Sequence, residues 1–247
     1  MKLADRLNDP SLLIDAAMVG GDWVKAAASG KTFDVTNPST GETLLSLPDL
    51  GVEETRVAID AAYAAQKPWA AKTGKERSAV LRAWHDLMVA NADDLGVILC
   101  AEMGKPLPEA KGEVLYGASF LEWFAEEAKR VYGDVIPGHQ PDKRIMVLKQ
   151  PVGVAASITP WNFPNAMIAR KVAPALAVGC AFLSKPAPDT PLSALAMGVL
   201  AERAGVPKGL LSVITSTDAA AIGEEFCQND KVRKLTFTGS TGVGRIL

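Results

Sequence analysis

The spacing of apolar and polar positions changes twice along the 247 residues of this chain. Over the first fifty residues short β-type runs alternate with turn chemistry. Asn37-Pro38-Ser39-Thr40-Gly41 forms a strong turn signal between two short strands, Thr32–Val35 and Thr43–Leu47. From Asp49 to Ala128 the spacing is helical. An Ala-rich helix is predicted from Val52 through Gln66, and a second over Lys75–Ala90, where Val80, Leu81, Trp84, Leu87 and Met88 share one face. A third, Asp93–Met103, stops at Gly104-Lys105-Pro106, and a fourth is predicted over Leu107–Tyr132.

Beyond that point strands return. The runs Val131–Pro137 and Arg144–Lys149 flank a polar, proline-containing loop and read as a projecting β-hairpin over residues 131–149. From Val152 onward strand and helix alternate: strands Val152–Ile158, Cys180–Ser184, Leu211–Ile214 and Lys234–Phe237, with helices Ala166–Ala177, Leu192–Ala204 and Ala219–Cys227 between them. Strands that are apolar throughout and separated by helices predict a parallel sheet covered on both faces, an α/β doubly wound fold with right-handed crossovers. Gly239 to Leu247 begins a further helix of about two turns at 3.6 residues per turn. So short a helix, without a C-terminal cap, leads to the expectation of a truncated chain.

Composition narrows the possibilities without choosing among them. At 48% hydrophobic and 22% charged, the chain has the balance of a soluble globular protein with a sizeable core. A net charge of −2, with Lys and Arg interleaved among acids as in Lys72–Arg77, argues against nucleic acid or an anionic membrane as a partner. Three dispersed cysteines (Cys100, Cys180, Cys227) and two histidines form no zinc-binding spacing, so no metal is expected. The cysteines read as buried or half-buried free thiols, which fits a reducing cytosol. Charge enters at Lys2, leaving no apolar signal core, and no apolar run is long enough to span a bilayer. The expected location is cytoplasmic.

Three segments directly follow predicted strands, and in such a sheet ligands bind beyond the carboxyl ends of strands. The first is Thr159-Pro160-Trp161-Asn162-Phe163-Pro164. It could present the Asn162 amide to a developing oxygen charge, or it could be a turn with a buried Trp and a helix-capping Asn. The second is Lys185-Pro186-Ala187-Pro188-Asp189-Thr190-Pro191. Its lysine reaches either solvent or an anionic or hydroxyl-rich ligand, and Asp189 or Thr190 can cap the helix that Pro191 begins. The third, Gly239 to Gly244, offers close backbone approach and a helix N-terminus to phosphate. Alone, as GxxGxG rather than GxGxxG, it could equally be a tight turn.

Taken in order, these segments resemble the aldehyde dehydrogenase superfamily. The resemblance rests on Val154–Pro164 (VAASITPWNFP), Arg170-Lys171, Lys185-Pro186-Ala187 and Leu235–Thr241, with Asn37–Glu42, Glu102–Leu107 and Glu122–Ala125 in support. Within that superfamily Tyr132–His139 and Met167–Lys171 are similar to succinate-semialdehyde dehydrogenases. The resemblance implies a cofactor-binding domain made of residues 1–130 and 150–247, with 131–149 as an oligomerisation hairpin and the catalytic domain absent. It implies NADP or NAD as cofactor, with contacts across Thr159, Pro160, Trp161, Asn162, Arg170, Lys185, Pro186, Ala187, Pro188, Gly239, Ser240 and Gly244. Asn162 matches the oxyanion-hole amide. Lys185 matches the lysine at the adenosine ribose, and Gly239 and Ser240 the turn that meets the pyrophosphate. Arg170 matches an arginine that holds the substrate's distal carboxylate, although on residue type alone it could be a surface salt bridge.

The chain also departs from the family pattern. Pro188 stands where NAD-preferring members often carry Glu, which removes a repulsion toward a 2′-phosphate. Gly242 stands where Glu is frequent, and glycine lowers helix propensity by about 1 kcal/mol relative to Ala. Neither the family's general-base Glu segment nor its nucleophilic Cys segment is present. The resemblance implies oxidation of succinate semialdehyde, a small-molecule aldehyde, to succinate by the parent enzyme, a homo-oligomer. The fragment alone is expected to be inactive and to self-associate. The alternatives are a nucleotide-binding module without turnover and a piece that docks on intact subunits.

Overall fold

The computed structural model describes residues 2–247. Four strands from the second half of the chain form the centre of the main sheet: β7 (Val154–Ile158), β8 (Ala181–Lys185), β9 (Leu211–Val213) and β10 (Val232–Phe237), all parallel. They lie within a residue or two of their predicted positions. The connecting helices are α5 (Ala166–Ala177), α6 (Leu192–Arg203) and α7 (Ala219–Gln228), and α8 (Thr241–Ile246) follows β10. The central order is β10-β7-β8-β9. Through α5 and α6 the chain steps in one direction, and through α7 it returns across to the far edge. With right-handed crossovers that return puts α7 on the opposite face from α5 and α6. It also places the topological switch point between β7 and β10, where such sheets open a crevice at the strand ends.

The sheet is mixed, because two strands that the hydrophobic pattern did not reveal complete it. These are β1 (Ala17–Val19) and β2 (Asp22–Val24), three residues each. They form an antiparallel hairpin, and β1 pairs antiparallel with β9 through Met18 and Val213. Runs so short carry no readable period. Their signal was Gly20-Gly21, with φ of +61° and +90°, which suits a two-residue hairpin loop with positive φ at both positions. The predicted pair β3 (Thr32–Thr36) and β4 (Thr43–Pro48) forms a separate two-stranded sheet. Its turn is as expected: Gly41 sits at φ +71°, and its N–H donates to the Asn37 carbonyl at 2.8 Å.

Helices α1 (Val52–Ala70), α2 (Gly74–Ala90), α3 (Ala92–Met103) and α4 (Leu107–Glu127) cover the sheet. Helix α1 contacts β8 and α7, while α2, α3 and α4 pack over α5 and α6. Helix α1 runs past its predicted end at Gln66 and past Pro68. Trp69 holds the last turn, buried and donating its indole N–H to the Leu176 carbonyl at 2.9 Å. Helix α4 stops at Glu127, short of the predicted Tyr132, because the chain leaves the core there and becomes the hairpin.

That hairpin, β5 (Asp134–Pro137) with β6 (Arg144–Val147), is antiparallel and exposed along its whole length. Several of its apolar side chains face outward, Val135 at 78% and Met146 at 72% exposure. No helix is long and apolar enough to cross a membrane among the described residues. Of the three thiols, Cys180 is buried and Cys100 half-buried as expected, whereas Cys227 on α7 is exposed.

Candidate functional site

The three strand-end segments converge. The Thr159 N–H donates to the Lys185 carbonyl at 3.2 Å, and the Thr238 N–H donates to the Ile158 carbonyl at 3.2 Å. The ends of β10, β7 and β8 are therefore laced together at the switch point, with Thr159–Asn162, Lys185 and Gly239 around it.

In the loop after β7, Trp161 is 54% exposed, so the alternative of a buried tryptophan is excluded. Asn162 caps no helix. Its Oδ1 is buried without a hydrogen-bond partner, and among the described residues its Nδ2 makes no hydrogen bond. The hydroxyl of Thr159 is likewise buried and unpartnered. The loop is held from behind by two residues that carried no recognised role in the sequence. Lys105, in the turn between α3 and α4, donates to Glu113 at 2.6 Å and to the Asn162 carbonyl at 3.2 Å. Its ammonium lies 3.8 Å from the centroid of the Phe163 ring, an aromatic face that favours a cation. Glu113, buried on α4, uses its other oxygen to accept the N–H groups of Asn165 and Ala166 at 3.0 and 3.2 Å. A carboxylate from α4 thus caps α5, a task that sequence reasoning gave to a local asparagine.

Helix α6 is capped in the same manner. Neither Asp189 nor Thr190 does it: Asp189 is exposed and the Thr190 hydroxyl is buried without a partner. Glu102 on α3 accepts from the N–H groups of Leu192 and Ser193 at 2.7 and 2.8 Å. Burial pushes the Glu102 carboxyl up to about 8, while those N–H groups pull the other way.

Lys185 corrects the expectation most sharply. It is the last residue of β8 and only 1% exposed, so the reading in which it reaches solvent is excluded. Among the described residues its ammonium donates no hydrogen bond to the protein. Burial lowers its pKa to about 8, offset in part by Asp49, Asp189 and Asp218. Asp49 is itself committed elsewhere, accepting from the Thr217 N–H and hydroxyl at 2.8 and 2.7 Å. Pro186 is buried, and Ala187 and Pro188 are half-buried, in a turn closed by the Thr190 N–H on the Ala187 carbonyl at 3.2 Å.

After β10, the turn at Gly239 folds back over the Phe237 ring, and a Cβ at Gly239 would overlap that ring. Ser240 caps α8 by accepting the Val243 N–H at 3.3 Å, and Gly244 also lies against Phe237. On the neighbouring side a groove of about 570 Å³ runs between α7 and α8, with Ile158, Ala219, Gly223 and Val243 in its mostly apolar lining.

Arg170 lies one turn into α5 and, among the described residues, forms no ion pair. Its guanidinium donates to the Ala166 carbonyl at 3.3 Å and to the Tyr116 hydroxyl at 3.1 Å, and it packs 5.3 and 4.8 Å from the Tyr116 and Phe120 ring centroids. Its contacts run to α4 rather than to the cofactor segments. Lys171 beside it donates to the Thr238 hydroxyl at 2.7 Å. Burial, then the Arg170 charge, lowers the pKa of Lys171. No cluster of metal-ligating side chains occurs among the described residues.

Comparison with known proteins gives this geometry a context. The pattern of the aldehyde dehydrogenase family matches residues 23–247. The chain is 59% identical over 242 residues to a glutarate-semialdehyde dehydrogenase of Pseudomonas aeruginosa, covering 98% of this chain and 50% of the relative. It is 56% identical, with the same coverage, to the NADP(+)-dependent succinate-semialdehyde dehydrogenase of Escherichia coli. A crystal structure of succinate-semialdehyde dehydrogenase from Burkholderia pseudomallei superposes with a TM-score of 0.95 at 60% identity, over 97% of this chain and 49% of that one. The chain spans about half the length of the relatives it matches. With the family pattern running over residues 23–247, nearly the whole of the sequence, the chain belongs to the aldehyde dehydrogenase family.

Proposed function

We propose that this chain is the nucleotide-binding part of an NADP-accepting dehydrogenase for a semialdehyde that carries a distal carboxylate. The observation that carries the reading is Lys185, a buried lysine at the strand-end crevice whose ammonium has no hydrogen-bond partner among the described residues. A buried charge without a partner costs stability, and it is retained where a ligand completes it. In this reading Lys185 holds the adenosine ribose and its 2′-phosphate, and Pro188 leaves room for that phosphate. Gly239 and Ser240 meet the pyrophosphate, and the apolar groove beside Ile158 suits a flat base. Thr159, Pro160, Trp161, Pro186, Ala187 and Gly244 line the path between them. Asn162 offers a free Nδ2 to the oxygen of the aldehyde as it gains charge. Arg170 is the carboxylate anchor.

Aldehyde oxidation in this reading needs three supplies: a thiolate to attack the carbonyl, a hydride acceptor, and a base to activate water for release of the acid. NADP, when bound, accepts the hydride. This chain's own residues bind and orient. None of its thiols fits the nucleophile's place: Cys180 precedes β8, at the opposite end of the sheet from the crevice, while Cys100 and Cys227 lie on α3 and α7. Residues 1–247 alone are therefore expected to give no NADPH from succinate semialdehyde. NADPH formation above the enzyme-free rate would overturn this assignment. The outward apolar side chains of the hairpin are the surface for self-association, as an oligomerisation arm would be.

The same reading sets a pH dependence. Lys185 is charged below about 8 and loses its proton above. With the 2′-phosphate fully ionised above pH 7, NADP affinity should fall as pH rises through 8, with NAD affinity changing less. Titration by intrinsic fluorescence across pH 6–9 measures this, and parallel curves for the two nucleotides would contradict it.

A further inference from the structure

Arg170 and Lys171 are adjacent cations on α5, and among the described residues neither pairs with an acid. Lys171 spends a donor on the Thr238 hydroxyl, but Arg170 is built differently. Its guanidinium packs against two aromatic rings of α4, Tyr116 and Phe120, whose centroids are 5.0 Å apart at an interplanar angle of 60°. Tyr116 and Phe120 are four apart on one helix, so a single face of α4 presents both rings. Of the five N–H donors of a guanidinium, one goes to the Ala166 carbonyl and one to the Tyr116 hydroxyl, which leaves three for a ligand. The Tyr116 hydroxyl, having accepted from Arg170, keeps its own proton to donate. Tyr116 is 48% exposed, so that proton faces solvent or a ligand rather than the core.

We propose that Tyr116 and Phe120 are positioning residues that stack and tether the Arg170 guanidinium, and that the Tyr116 hydroxyl adds its own donor to the carboxylate Arg170 receives. The proposal rests on Arg170 being the carboxylate anchor of the function above, and it adds the device that fixes the guanidinium's direction. An arginine free to rotate would give up side-chain entropy for each ligand bound, whereas a stacked and tethered one has already given it up. The geometry favours a carboxylate, because a fork of N–H donors with a hydroxyl beside it matches two carboxylate oxygens.

The test uses the full 247-residue chain and succinate as the probe. The Arg170 side-chain resonances, assigned through Arg170→Lys, report the guanidinium directly by NMR. In the wild type they should be dispersed by hindered rotation and should shift as succinate is added. Tyr116→Phe keeps the ring and removes only the hydroxyl. It should weaken succinate binding roughly three- to tenfold, the effect of one hydrogen bond, and should partly average the guanidinium signals without lowering the melting temperature. Phe120→Leu should also weaken binding while leaving the Tyr116 tether in place, and Phe120→Tyr should restore it. Succinate shifts of equal midpoint in wild type and Tyr116→Phe would overturn the positioning role and leave the carboxylate anchor standing. No perturbation of Arg170 by succinate in the wild type would overturn both.

Discussion

Replacing Glu113 with alanine should cost this fold about 3–5 kcal/mol, because it leaves the Lys105 ammonium buried without its counter-charge. The pair is desolvated on both sides, with side-chain exposures of 9% for Lys105 and 1% for Glu113, and the ions are 2.6 Å apart. The substitution also uncaps α5, since the Asn165 and Ala166 N–H groups lose the carboxylate that accepts them. For a domain of this size each kcal/mol moves the melting temperature by roughly 2–4 °C, so a drop of about 6–20 °C is expected. Lys105→Met combined with Glu113→Ala should recover part of the loss, because no buried charge is then stranded. Thermal melts of the wild type and the two variants decide the matter. A Glu113→Ala protein melting within 2 °C of wild type would show that the pair adds nothing and that water satisfies α5. The consequence reaches the site: Lys105 also holds the Asn162 carbonyl, so a loosened pair frees the loop that presents the Asn162 amide.

These braces mark where the sequence stopped being legible. The strands of the sheet's centre and their order of motifs could be read from apolar runs, because a strand buried on both faces is apolar throughout. Convergence of Asn162, Lys185 and Gly239 followed from the rule for strand ends. Hidden were contacts between residues far apart in the chain. Glu102 and Glu113 were visible only as acids on helices; that each caps another helix, 90 and 52 residues away, depends on how α3 and α4 lie over α6 and α5. Local chemistry pointed instead to Asp189, Thr190 and Asn162 as caps, and tertiary carboxylates took those places. The burial of Lys185 was hidden for a related reason. A lysine at a strand end was given two readings, solvent or an anionic or hydroxyl-rich ligand, and its burial removes the first. The hairpin β1–β2 escaped because three-residue strands have no period, leaving only a Gly-Gly pair as signal.

Lys185 also carries the second large effect. Holding its pKa near 8 rather than 10.5 means that the folded protein disfavours the charged form. Below pH 8 the fold therefore carries the full cost, about 3 kcal/mol by the usual conversion, and that cost fades as pH rises towards 10.5. Lys185→Met, close in shape and without charge, should raise stability at neutral pH, with the gain shrinking above pH 8. The same substitution should damage nucleotide recognition, since it removes a charged contact to phosphate worth roughly 1.5–3 kcal/mol. A residue whose removal strengthens the fold and weakens the ligand is placed for function. The most direct measurement is calorimetric titration of wild type and Lys185→Met with NADP and with NAD at pH 7. The expected result is NADP bound more tightly by the wild type, and a loss on substitution of about 10- to 100-fold for NADP against a several-fold loss for NAD. Equal losses for the two nucleotides, or a wild type that binds neither, would contradict the account.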